Sequence, residues 1–194
     1  MCDLPEALPA SERKPRAEVQ AMATHPSYWV ILAYLDGAVV GFSALYVFDE
    51  PPFALLEYMA VDEAVRGRGL GSMLFRESTR VSIQQEQRTP VVLEVDSDRE
   101  ESPDRETRLQ RLKFYRRLGC LRVDGLDYIL PLETGEKPPL IDFLVWREDD
   151  RNHIEKAIVE EYLRQIYVDV YGCGSDDKRI AKMFFSVSEM PSLI

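Results

Sequence analysis

Six consecutive residues, Arg66-Gly67-Arg68-Gly69-Leu70-Gly71, carry the clearest chemical signal in the chain. Alternate glycines remove the side chains that would keep a ligand away from the main chain. They also permit the positive φ angles that let successive N–H groups converge on one point. A helix starting at this place adds unpaired donors and the positive end of its dipole. Arg66 and Arg68 supply full positive charge, with Arg76 and Arg80 further along. The ligand suited to such a place is a phosphate or pyrophosphate. Two familiar phosphate patterns fail here. A P-loop needs Lys and then Ser or Thr after its second glycine, but Gly71 is followed by Ser72-Met73. The dinucleotide pattern G-x-G-x-x-G ends on Ser72 when started at Gly67 and on Leu74 when started at Gly69. The spacing that fits is Arg-x-x-Gly-x-Gly, met by Arg66, Gly69 and Gly71.

The neighbouring residues define the elements that must hold this loop. Leu55 to Val61 is largely apolar and is bounded by Asp62-Glu63, which predicts a buried strand. From Leu70 onward, Leu70, Met73, Leu74 and Val81 fall near helical spacing, and Arg76, Glu77, Arg80, Gln84 and Gln85 supply polar positions. Strand, connector, glycine loop and helix together resemble motif A of the GNAT superfamily of acetyl-CoA-dependent N-acetyltransferases, including Ala60-Val61 at the strand end just before the connector. The resemblance implies acetyl-CoA as co-substrate. It assigns the pantetheine arm and the thioester carbonyl to main-chain groups of Met59, Ala60 and Val61. It assigns the pyrophosphate end to Arg66, Gly67, Arg68, Gly69, Leu70, Gly71 and Ser72.

A second stretch extends the likeness. From Thr107 the apolar residues Leu109, Leu112, Phe114, Tyr115 and Leu118 suggest a helix closed by Gly119. Phe114-Tyr115-Arg116-Arg117-Leu118-Gly119-Cys120 resembles the family's motif B, Phe-Tyr-x-x-x-Gly-Phe, with Cys120 replacing the last aromatic. Arg108 and Arg111 stand where the family usually has Asn and Ala, and Arg108 is placed to substitute for that asparagine at the cofactor. The resemblance gives Tyr115 the role of general acid toward the departing thiolate, which suits a phenol protonated at neutral pH. The plainer reading of Tyr115 is an aromatic packing residue at helical spacing. For the base, Glu57 lies in an otherwise apolar strand, two residues before Met59 and on the same face. Glu57 is thus either a proton acceptor, a salt-bridged residue, or a bystander to a water relay.

In chain order, Ser11 to Ala23 suggests a helix capped by Ser11. Tyr28–Leu35 and Ala38–Phe48 form a hairpin pattern around Asp36-Gly37. Asp49-Glu50-Pro51-Pro52 ends the second strand, and Leu55 to Val61 makes the third. Pro90 to Val95 predicts a strand after the motif A helix, hence a right-handed crossover and a parallel pair. The charged stretch Asp96 to Glu106 reads as a solvated connector. Leu121 to Leu132 and Leu140 to Trp146 predict two more strands around the turn-rich Glu133 to Pro139. Beyond them, Asn152 would cap a helix striped by Ile154, Ala157, Ile158, Tyr162, Ile166 and Val170, and Lys182 to Val187 reads as a strand. The implied class is α/β. The GNAT fold has a mixed central sheet, with antiparallel N-terminal strands and a parallel pair that splays apart. Here it would occupy residues 1–146, with a C-terminal helical extension over 147–194 packed on the same domain or on a partner in a homodimer.

Composition narrows the function classes. A chain of 194 residues with 45% hydrophobic and 30% charged residues suits a soluble globular protein. The net charge of −10 argues against a general nucleic-acid surface. No apolar run reaches membrane-spanning length and the N-terminus has no apolar signal core, so a cytoplasmic protein with no membrane partner is expected. Three scattered cysteines and two distant histidines describe neither a disulfide framework nor a metal site, and no metal is expected. The function implied by the resemblance is acetyl transfer to a primary amine of a small molecule or peptide. The alternative is a catalytically silent acetyl-CoA-binding regulatory module.

Overall fold

The computed structural model describes residues 16–84, 89–131, 139–149 and 151–194. They fall into two compact units, one reaching to Phe48 and resuming over Ala54–Thr89, the other formed by Asp49–Phe53 and Pro90–Ile194. The first unit holds α1 (Arg16–Thr24), β1 (Tyr28–Leu35), β2 (Ala38–Phe48), nearly all of β3 (Phe53–Val61) and α2 (Leu70–Gln84).

The hairpin is as the sequence predicts. Asp36 at φ 50° and Gly37 at φ 80° form the two-residue turn, and β1 and β2 run antiparallel from Tyr28↔Tyr46 to Leu35↔Ala38 with a bulge between Ala33 and Tyr34. β3 lies beside β2 and begins two residues earlier than the apolar pattern suggests, at Phe53. Ser11 and the rest of the first fifteen residues lie outside the described residues.

The buried stripe of α2 differs from the expected one. Leu74 is buried, but Met73 is 62% exposed, and Phe75, Ser78 and Thr79 face inward. The side chain of Val81 lies outside the described residues. Two buried serines are tolerated because both are satisfied. Ser78 donates to the Leu74 carbonyl at 2.8 Å, and its oxygen lies 2.8 Å from Ser43 Oγ on β2. This pair anchors α2 to the hairpin. On the other side of β2, a Cβ added to Gly41 would come within 2.9 Å of the Ala60 carbonyl oxygen, so glycine is what lets β2 approach the end of β3.

The second unit holds β4 (Val91–Asp96), α3 (Arg105–Arg117), β5 (Leu121–Arg122), β6 (Ile141–Trp146), α4 (Lys156–Gln165) and α5 (Lys178–Met183). Its strands lie in the order β4-β6-β5, with both pairings antiparallel. The long strand expected over Leu121 to Leu132 reduces to the two residues of β5. Gly125, at φ 75°, turns the chain, which among the described residues then rejoins β6 through an isolated bridge between Tyr128 and Ile141. Leu132 and most of the following turn lie outside the described residues.

The C-terminal segment corrects three expectations. Asn152 is not the cap of the following helix; Glu155 occupies that position, and the Asn152 carbonyl instead accepts from Leu193 N at 2.7 Å. The buried face of α4 and of the π-helical turn that continues it (Ile166–Val170) is built from Val159, Tyr162, Leu163, Ile166 and Tyr167, while Ala157 is exposed. Lys182 to Val187 forms no strand. Asp177 accepts from Arg179 N at 2.9 Å and starts α5, which turns Met183 and Phe184 inward and leaves Phe185 93% exposed. The edge-pairing role falls to the chain end. Arg122 and Ile194 exchange both main-chain bonds at 2.8 and 2.9 Å, and Leu193 bridges Val123.

Phe53 stacks on Tyr162 of α4 at 4.2 Å between centroids, and both are buried. No helix among the described residues is long and apolar enough to cross a membrane. Tyr162→Ala leaves a cavity against Phe53 and should cost about 3 kcal/mol or more. Denaturant unfolding of the variant checks this, and an unchanged midpoint would show that α4 adds nothing to the stability of this unit.

Candidate active site

The approach to the glycine loop is set by a short capped turn. Asp62 Oδ1 accepts from Ala64 N at 2.9 Å, and Val65 N and Arg66 N bond back to the carbonyls of Asp62 and Glu63 at 3.1 and 3.2 Å. Arg66 then folds its side chain backward, Nε donating to the Val61 carbonyl at 3.2 Å. The arginine thus ties the loop to the end of β3 as well as lending it charge. Arg68 is exposed.

Beyond Arg66, Gly67 and Gly69 adopt φ 79° and 80°, the left-handed region that other residues enter at a cost. A Cβ at either would meet nothing within 4 Å, so both glycines border open space. Met73 N, bonding Gly69 O at 3.1 Å, makes the first main-chain bond of α2, which leaves Leu70, Gly71 and Ser72 as the helix's unpaired first-turn donors. Left-handed glycines bordering open space and, among the described residues, unbonded first-turn N–H groups thus stand together at the loop, a donor set whose chemistry suits a phosphate group.

The first unit brings together this loop, Met59–Val61 and Glu57. Ala60 is buried, Met59 and Val61 are half-buried, and Asp62 N bonds Val40 O at 2.8 Å, extending the β2–β3 ladder to the strand end. Glu57 is half-buried and accepts a hydrogen bond from the hydroxyl of Tyr28.

Tyr115 belongs to the second unit, on the last turns of α3. It is 8% exposed and meets Phe114 edge-on at 5.2 Å. The helix stops after Arg117, and Gly119 at φ 90° lets the Tyr115 carbonyl accept from both Leu118 N and Cys120 N, at 3.0 and 3.1 Å. Cys120 is fully buried, and burial pushes its thiol far up, so it is a small apolar core residue in place of an aromatic.

Arg108, two turns before Tyr115, gives Nε to Asp104 at 2.9 Å; its Nη1 is buried and meets no acceptor among the described residues. The hydroxyl of Ser102, and then Arg108, hold the Asp104 carboxyl below the usual carboxylate range. An orphaned guanidinium N–H is costly, and a ligand acceptor would relieve it. Arg111 pairs instead with Asp96 at 3.4 Å.

One carboxylate escaped the sequence reading. Glu94, half-buried in the middle of β4, accepts from the hydroxyls of Tyr128 and Tyr171, the latter at 2.6 Å. Burial, and then the charge of Glu94, push the Tyr128 phenol well above its ordinary range. A lone acid in an apolar strand is the same signal that singles out Glu57. Among the described residues, no group of three or more His, Cys, Asp and Glu is arranged to hold a metal ion.

The Acetyltransferase (GNAT) family pattern matches residues 2–120. No curated protein matches the chain. Among solved structures, an acetyltransferase described as of the GNAT family from Bacteroides thetaiotaomicron is similar, with a TM-score of 0.66 at 22% identity over 87% of this chain and 88% of that one. A streptothricin acetyltransferase from Bacillus anthracis, solved with acetyl coenzyme A, gives a TM-score of 0.51 at 18% identity over 65% of each chain. The ribosomal-protein-S18-alanine N-acetyltransferase from Escherichia coli gives 0.51 at 17% identity over 67% of this chain and 75% of that one. These likenesses show a shared fold, and the mixed α/β class read from the sequence is the one observed. With a glycine cradle at the start of α2 and a family pattern covering well over half its length, the chain belongs to the acetyltransferase (GNAT) family.

Proposed function

We propose that the protein transfers the acetyl group of acetyl-CoA directly to a primary amine of a small molecule or peptide. The observation that carries this reading is the loop at the start of α2: two left-handed glycines facing open space, followed by three unpaired helix donors. Acetyl-CoA would supply an activated thioester and a pyrophosphate. The N–H groups of Gly67 to Ser72 suit the pyrophosphate, with Arg66 and Arg68 adding charge. Main-chain groups of Met59, Ala60 and Val61 would bind the pantetheine arm and the thioester oxygen, where donors aimed at developing negative charge are worth a few kcal/mol. The buried Nη1 of Arg108 offers one further donor, at the position where the family carries an asparagine.

Tyr115 would give its phenolic proton to the sulfur as the C–S bond breaks. Glu57, or water, would take the amine's proton as the C–N bond forms. The acceptor is left open by the family. The similar structures include one named for streptothricin and one named for a ribosomal-protein alanine, so one fold serves both small-molecule and protein amines. A cytoplasmic setting and a homodimer belong to the same reading. The changes at motif B, Cys120 in place of an aromatic and Arg108 and Arg111 in place of Asn and Ala, favour as second reading an acetyl-CoA sensor without turnover. Release of free thiol from acetyl-CoA with a mixed panel of amines separates the two.

Two variants test the assignments. Gly69→Val has space for its side chain, so folding should lose only about 1–2 kcal/mol for the left-handed φ. The stabilisation given by CoA in thermal melts should disappear, and a folded variant that still binds CoA normally would overturn the assignment of the loop. Tyr115→Phe should lower kcat with little change in acetyl-CoA affinity, because only the proton donor is lost. Unchanged single-turnover rates would remove Tyr115 from the mechanism.

A further inference from the structure

Glu57 is held from outside its own strand. Tyr28, the first residue of β1, donates its hydroxyl to Glu57 Oε2. The ring of Tyr28 is itself fixed on several sides. It lies opposite Tyr46 in the β1–β2 register and meets that ring edge-on at 5.0 Å. His25 stands edge-on to Tyr28 at 5.7 Å, and Tyr46 leans on Phe48 at 4.7 Å. These contacts come from β2 and from the turn after α1, so Tyr28 has little rotamer freedom left to lose when it bonds the carboxylate.

Tyr28 and Glu57 are both half-buried, and Glu57 shares a face of β3 with Met59. The titratable groups bearing on the pair are Tyr46 on β2, Tyr58 on β3, and His25. Burial comes first, followed by the hydrogen bond and charge of Glu57. Together they push the Tyr28 phenol well above its ordinary range, which favours its protonated, donating form.

We propose that Tyr28 is a positioning residue for acyl transfer, fixing the Glu57 carboxylate in the orientation that receives the proton of the acceptor amine. This rests on the transfer reading above. In the step, the amine N–H bond breaks toward Glu57 as the C–N bond forms. The C–S bond breaks and its electron pair leaves on sulfur, which takes the proton of Tyr115. Tyr28 keeps its own proton throughout; afterwards Glu57 gives the amine's proton to water and Tyr115 takes one back from water.

Tyr28→Phe removes one oxygen and keeps the ring and its aromatic contacts. Expected are an unchanged CoA-induced thermal shift and a kcat about tenfold lower. Glu57→Gln should lower kcat about a hundredfold, and adding Tyr28→Phe to it should cost nothing more. A wild-type kcat in Tyr28→Phe, or losses that multiply in the double variant, would overturn the proposal. Should wild type release no thiol with any amine, the transfer reading fails separately, and a second readout still decides Tyr28. The carbon-13 carboxyl signal lost in Glu57→Gln identifies Glu57. Its chemical shift should move in Tyr28→Phe, which removes the hydrogen bond, and an unmoved signal would show that Tyr28 does not hold this carboxylate.

Discussion

A helix cannot satisfy the N–H groups of its own first turn, and the first unit is built around that constraint. In α2 those donors belong to Leu70, Gly71 and Ser72, immediately after two glycines whose φ angles only glycine adopts freely. No acidic side chain stands in that turn to cap it. An anion is the complementary partner, and the helix dipole adds to its attraction. The chain as a whole carries a net charge of −10, so this attraction has to be local. Arg66 and Arg68 provide it.

A cradle of main-chain donors works only if its position is fixed, and several small features fix it. Asp62 caps the turn that leads in, and Arg66 bonds back to Val61. Further along, the Ser43–Ser78 pair pins α2 to β2. Gly41 lets β2 close on Ala60, one of the residues assigned to the thioester. Of these residues, Asp62, Ser43, Ser78 and Gly41 have no part in the proposed binding of the cofactor. Their common effect is to hold the end of β3 and the start of α2 in one rigid arrangement, which is what preorganised binding requires.

The second unit follows a different rule, that buried polar groups must be paired. Glu94 in β4 is matched by Tyr128 and by Tyr171, and Tyr171 caps the π-helical turn that prolongs α4. Asp142, 2% exposed on β6, is matched by Arg99 at 2.9 Å. The residues after Trp146 therefore complete polar pairs and apolar surfaces belonging to earlier strands, as the stack of Phe53 on Tyr162 also shows. Such dependence ties the extension to the family core within this unit.

What the sequence by itself determined are the features written in local order. The bounds of the hairpin strands follow from alternation and from an Asp-Gly turn that needs two positive φ angles. The left-handed turn at Gly67 and Gly69 follows from glycine spacing, because main-chain geometry depends on few neighbours. The start of α2 at Leu70 is legible for the same reason. Tertiary structure decided the features that depend on distant partners. Lys182 to Val187 has the composition of a strand, yet a capping Asp177 and a buried Met183 make it the end of a helix and its following turn. The expected twelve-residue strand from Leu121 is cut short where Gly125 turns, and its edge is completed by Ile194 from the far end of the chain. At the site, the sequence could name Glu57 but not Tyr28, which lies 29 residues away and reaches it only because β1, β2 and β3 stack side by side. Side-chain pairing across strands is set by register, and register is a property of the folded sheet rather than of any one segment.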